Sequence, residues 1–217
     1  GRILSSWRES SVMRKSMKAL RKEHPVLFTK LWDNQTVQNL LRKPYSTWEE
    51  AGVQAMTVGQ VTEQLTKARY RLRFLSLSEP DFRLLLGELV KSYNDAARAY
   101  LDCRNNTKPH LLHEFRKKSK TLMYQLDYFR HLNPPAVKTL EKRLDTMTRN
   151  LGKYNDLEQI LGILGYTYRD PANSDVNDEL AIVIRDRQYG YLMKVWPAAY
   201  RIFTPGKKLQ DLLDISF

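Results

Sequence analysis

The sequence predicts an all-α fold, and three observations carry that prediction. Apolar residues recur at steps of three and four along most of the chain, the pattern of helices with one buried face. Alternation with a period of two is nearly absent, and glycine is scarce, with 9 in 217 residues. Hydrophobic residues at 42% and aromatics at 11% suffice for a packed core, so the chain reads as one large globular domain or two small ones.

The elements follow in order. Ser10 or Ser11 caps a first helix through "VMRKSMKALRKEHPVLFTKLW", with Pro25 as a break or kink. Residues 33–56 hold a short helix, a turn at Pro44 and a second short piece. Thr57 caps the helix "VGQVTEQLTKARYRLRFL", and "SLSEP" is a turn. Pro80 opens the partner helix "DFRLLLGELVKSYNDAARAYLDC" at a position that tolerates proline. "RNNTKP" ends that hairpin, and "LLHEFRKKSKTLMYQLDYF" (111–129) forms the next helix, closed by "HLNPP".

A long helix then runs from about residue 136 to 164, its stripe formed by Val137, Leu140, Leu144, Met147, Leu151, Tyr154 and Leu161. "YRDPANSD" is a loop, and Gly190 and Pro197 bend or split the last long helix, "VNDELAIVIRDRQYGYLMKVWPAAYRIF". A "TPG" turn leads to a short terminal helix. The hairpins share Tyr-Asn-Asp late in their second helices, at Tyr93–Asp95 and Tyr154–Asp156, which suggests an internal duplication. Those Asn-Asp pairs are expected to tie neighbouring helices together.

Charge narrows the function. The 36 lysines and arginines against 24 acids give a net charge of +12, whose usual use is to attract a polyanion or an anionic surface. The single cysteine, Cys103, excludes an internal disulfide and a Cys-rich zinc site and fits a reducing compartment. No apolar run is long enough to span a bilayer, and the opening "GRILSSWRESS" has no apolar segment of a secretory signal.

The cations are ordered. In an α-helix, His113, Arg116, Lys117, Lys120 and Tyr124 fall within an arc of about 100°, opposite Phe115, Leu122, Leu126 and Phe129. Lys118 lies off that stripe, and Glu114 is poorly placed to neutralise it. Like charges at i, i+4 oppose helix formation, so the row is a local conflict of the kind that marks function. Arg14, Lys18 and Arg21 repeat the design within about 60° on the first helix, opposite in role to Met13, Met17, Leu20 and Leu27. Lys138, Lys142, Arg149 and Lys153 align on the long helix, interrupted by Asp145. Arg69 and Arg73 share one edge of the apolar face of "KARYRLRF", and Lys67 and Arg71 share the other. A lysine-rich face is ordinarily solvated surface, a lone histidine is ordinarily no ligand, and Tyr124 serves equally as core-edge packing. It is the repetition of rows that favours an anion.

"HEFRKKSKTLMYQLDYF" followed by "NLGKYNDLEQILGIL" resembles the CHAD domain, the conserved-histidine α-helical domain. The shared pattern is His113, Arg116, Lys117, Lys120 and Tyr124 on one helix, then Leu151, Gly152, Asn155, Asp156 and Leu157 on the next. "WPAAYRIF" is more loosely similar to that family's last helix. The resemblance implies a single domain over 1–217 made of two pseudo-symmetric antiparallel bundles of about four helices each, about 1–105 and 106–217. It further implies binding of inorganic polyphosphate in a basic groove, association with polyphosphate-handling enzymes, and a cytoplasmic location at polyphosphate granules. For the first half two registers fit: "VTEQLTKARYRLRFL", with Val61 and Gln64 where His and Arg belong, or Ser11, Arg14, Lys18 and Arg21.

The expected function is therefore non-catalytic polyphosphate binding, with no cofactor and no metal. Nucleic-acid binding is the alternative; its charge is adequate, but exposed aromatic platforms among the basic residues are not evident. A phosphohydrolase would need carboxylates to hold metal ions, and Asp95 and Asp156 are isolated. A membrane-surface role lacks an aromatic-basic amphipathic segment.

Overall fold

The computed structural model describes residues 2–42, 48–74, 81–166 and 179–215. Among these the regular elements are helices: α1 Arg2–Glu23, α2 Pro25–Lys30, α3 Gln35–Leu41, α4 Trp48–Arg73, α5 Phe82–Asn105, α6 Pro109–Leu126, α7 Pro134–Ile163, α8 Glu179–Phe203 and α9 Leu209–Leu213, with a 3₁₀ turn at Asp127–Phe129. The fold is all-α. The expected turns at Pro44 and at "SLSEP" with Pro80, and the loop "YRDPANSD", lie outside the described residues.

The chain divides into two compact units, Gly1–Asp81 and Phe82–Phe217. The division falls one helix earlier than the expected boundary near residue 105, because α5 packs along both α6 and α8. In the first unit α1 lies against α2 and α3 and buries Met17, Leu20, Leu27, Phe28 and Val37. Asn34 caps α3, its side-chain oxygen accepting from the Thr36 and Val37 amides at 3.0 and 3.1 Å.

The second unit is a cycle of four helices, α5 on α6, α6 on α7, α7 on α8 and α8 back on α5. Its core holds the expected α7 stripe from Val137 to Tyr154 together with Phe115, Leu122, Leu126 and Phe129 from α6 and the following turn. At its centre Tyr100, Phe115 and Phe203 bring three helices together, with ring centroids 5.7–5.9 Å apart. Tyr93, from the first Tyr-Asn-Asp, donates its hydroxyl to the carbonyl of Ile202 or Lys207, at 3.0 and 2.9 Å, latching α5 to the end of α8. Asn133 caps α7 and also donates to the Leu213 carbonyl at 2.9 Å, fixing α9 beside the start of α7.

Three sequence expectations change. Ser10 and Ser11 lie inside α1, which starts at Arg2; no glycine or proline stands between there and Glu23 to interrupt it. Thr57 lies inside α4, which starts at Trp48 and runs on to Arg73. And α8 runs unbroken through Gly190 and Pro197. Both are exposed, while Leu192, Val195, Ala199 and Ile202 bury the opposite side and hold the helix in one piece. Gly165, at φ 85°, ends α7 where the sequence expects it to end.

Candidate anion-binding site

Pro109 starts α6 at the first helical position. Leu112, Phe115, Ser119, Leu122 and Leu126 then bury one face and turn the charged row away from the core. His113 and Lys117 are exposed, Arg116 and Lys120 are half-buried, and Tyr124 keeps 66% of its surface. The Lys120 ammonium stands 3.3 Å from the Tyr124 hydroxyl and 5.2 Å from the ring centre, so the phenol is tied to the row rather than to the core.

The row is less isolated than its spacing implies. Glu114 pairs with Lys117 at 3.0 Å, against the expectation that it stands too far round the helix. Residues three apart are about 60° apart in azimuth, and a lysine stem spans that distance. The Lys117 hydrogen bond, with the charges of Lys117, His113 and Lys118 adding to it, holds the Glu114 carboxyl below its ordinary range. Lys118, off the stripe, reaches back to Asp95 on α5 at 3.4 Å, so the Asp of the first Tyr-Asn-Asp ties two helices together.

Arg116 departs from its neighbours. Its Nε donates to the Thr148 carbonyl of α7 at 3.3 Å, and its guanidinium lies over Gly152. Thr148 and Gly152 each immediately precede a cation of the second row, Arg149 and Lys153. This contact places Arg116 of the α6 row against α7 at residues 148 and 152. On α7, Lys138, Lys142, Arg149 and Lys153 are exposed. Arg149 is paired with Asp145 in a four-residue step. Lys153 lies 5.5 Å from the ring centre of Tyr191 on α8, and Arg187 Nε contacts the same residue's hydroxyl at 3.3 Å.

Tyr191 and Arg187 were not singled out from the sequence. The readable signal was a cation followed four residues later by tyrosine, the step that Lys120 and Tyr124 also show. In the first unit, Arg14 is half-buried and Lys18 and Arg21 are exposed. Arg21 sits 5.5 Å over the Trp32 ring, beside a cavity of about 220 Å³ lined by Phe28, Val37 and Arg42 among others. Arg69 and Arg73 are exposed on α4, where the described side chains face solvent apart from half-buried Val61.

Among the described residues no group of three or more His, Cys, Asp or Glu is placed to hold a metal ion, and no helix is long and apolar enough to cross a membrane. The exposed aromatics correct one expectation. Tyr124, at 66% exposure, does stand beside a basic residue, Lys120.

Helices with an apolar core on one side and ordered cations on the other define an all-helical domain of basic hairpins. The model of the CHAD domain matches residues 1–164, and the chain belongs to that family. The match takes in α1 to α7, and with them all three cation rows; the looser likeness at "WPAAYRIF" lies beyond it. No curated protein and no solved structure matches the chain.

Proposed function

We propose that the protein binds inorganic polyphosphate without cleaving it, through Lys, Arg and His side chains of several helices that line one basic groove. The observation that supports this reading is Arg116, which sits against α7 at Thr148 and Gly152, the residues that precede Arg149 and Lys153 in the sequence. A flexible polyanion gains little from one screened cation. It gains much from several that replace its counterions together, and arginine grips two phosphate oxygens at once. Arg14, Lys18, Arg21, Arg69 and Arg73 are the cations of the first unit that also bind polyphosphate in this proposal. Family membership supports polyphosphate as the anion. The partners are then enzymes that make or use polyphosphate, and the location is the cytoplasm, at polyphosphate granules. Asp95 serves structure rather than catalysis, being engaged by Lys118, and Asp156 also has a partner.

The test is a binding series with polyphosphates of increasing length. Affinity rises with chain length as more cations are engaged, and falls steeply with salt. Arg116→Ala combined with Lys120→Ala weakens binding of a long chain by at least about tenfold with helicity retained. Binding indifferent to length or salt, or undiminished in that double variant, sinks the reading. Exposed Tyr124 beside Lys120 favours nucleic acid as the second reading, because bases stack on such rings. Competition separates the two: single-stranded RNA that displaces long-chain polyphosphate at equal phosphate concentration decides for nucleic acid.

A further inference from the structure

We propose that Gly152 is a positioning residue of this site. Having no side chain, it leaves a seat on α7 in which Arg116 is held ready for a phosphate chain. The inference rests on the polyphosphate reading above.

A glycine inside a 30-residue helix calls for a reason, since alanine is the better helix former at such a position. Backbone freedom is not that reason, because the backbone of Gly152 is helical rather than left-handed. Space is. A Cβ at residue 152 would stand 3.3 Å from Arg116 Nε, 3.5 Å from its Nη2 and 3.8 Å from its Cζ. At Gly59, Gly87, Gly162 and Gly190, also within helices, a Cβ would meet nothing within 4 Å. Of these five, Gly152 is the one whose missing side chain a neighbour occupies.

What occupies it is held in a useful way. Arg116 spends Nε on the Thr148 carbonyl, at 3.3 Å, which leaves both terminal nitrogens for a ligand. A free arginine surrenders rotamer entropy when it grips an anion. One already lying in a fixed plane has lost most of that freedom beforehand, and its two terminal nitrogens match the spacing of two phosphate oxygens. Lys117 and Lys120, by contrast, are tied to Glu114 and Tyr124 on their own helix. Gly152 thus acts through Arg116 and touches no ligand itself.

The experiment uses variants that change no charge. Gly152→Ala and Gly152→Leu are compared with wild type, with Arg116→Ala and with the double variant Gly152→Ala/Arg116→Ala, by affinity for long-chain polyphosphate and by the Arg116 Nε–H resonance of the free protein. Gly152→Ala is expected to weaken binding by about threefold to tenfold, and Gly152→Leu by more. The Nε–H signal shifts, while helicity and thermal midpoint stay at or above wild type. In the Arg116→Ala background Gly152→Ala costs nothing further, an outcome that a purely structural role for the glycine would not produce. Wild-type affinity in both glycine variants, with Arg116→Ala still weakened, overturns the seat alone. An equal loss from Gly152→Ala with Arg116 already removed overturns it too. If wild type itself binds no polyphosphate, the functional reading falls first and this role with it.

Discussion

Tyr93 and Cys103 lie in the core of the second unit, and both are held neutral there. Burial, with the charge of Asp211 adding to it, pushes the Tyr93 phenol from its ordinary value of 10.0 up to about 12. Burial likewise pushes the Cys103 thiol from 9.0 up to about 12. A group whose folded value is raised contributes stability that is whole below its unfolded value and is lost as pH climbs through the folded one. The thermal midpoint should therefore be level through neutrality and decline between about pH 9 and 12, as stability on the order of a few kcal/mol from the two groups together is lost. Melts followed by circular dichroism across that range check this, and a level midpoint up to about pH 12 refutes it. Among the cations, Glu114→Gln should tighten polyphosphate binding about twofold, because it removes the carboxylate that competes for Lys117; titration at fixed salt reads the change. That competitor was hard to see in the sequence. Spacing establishes which face a residue lies on, so the exposure of His113, Lys117 and Tyr124 was legible. Which cation an acid captures depends on the reach of long side chains, and so did the contact of Arg116 with Thr148 across two helices.

At the level of elements, stripes were easier to read than ends. Every residue of the expected α7 stripe is buried, because a run of steps of three and four over a long helix admits one face only. Ends were legible where the chain carries its own punctuation: Asn133 with Pro134, Pro109, and Gly165 at φ 85°. They were not legible at Ser11 and Thr57, where a capping residue type stands inside a helix that nothing interrupts. The two breakers of α8 failed to break it, since packing of its buried side outweighs two unfavourable residues on the exposed one. Gly190 supplies the test. It is exposed in mid-helix, and a Cβ there would meet nothing within 4 Å. Gly190→Ala should therefore stabilise the protein by about 0.5–1 kcal/mol and leave polyphosphate binding unchanged. Chemical denaturation measures this, and a loss of stability would show that α8 needs flexibility at that point.

For the molecule as a whole the governing quantity is its +12 charge. Like charges gathered in rows raise the free energy of the folded state, and each remedy for that repulsion leaves its own mark on stability. Inert salt screens the rows over about 10 Å at 0.1 M, so moderate sodium chloride should raise the thermal midpoint of the free protein. Bound as proposed, polyphosphate should go further, because a ligand that binds the folded chain adds RT ln(1 + [L]/Kd), about 2.7 kcal/mol at a hundredfold excess over Kd. The two remedies compete for the same charges. Salt that stabilises the free protein must weaken the complex, so the midpoint with ligand should fall toward the ligand-free curve as salt rises, and the two should merge at high salt. Melting curves over a salt series, with and without long-chain polyphosphate, display this convergence directly. Parallel curves would mean that whatever polyphosphate does to the protein, it does not do it by relieving the repulsion between these cations.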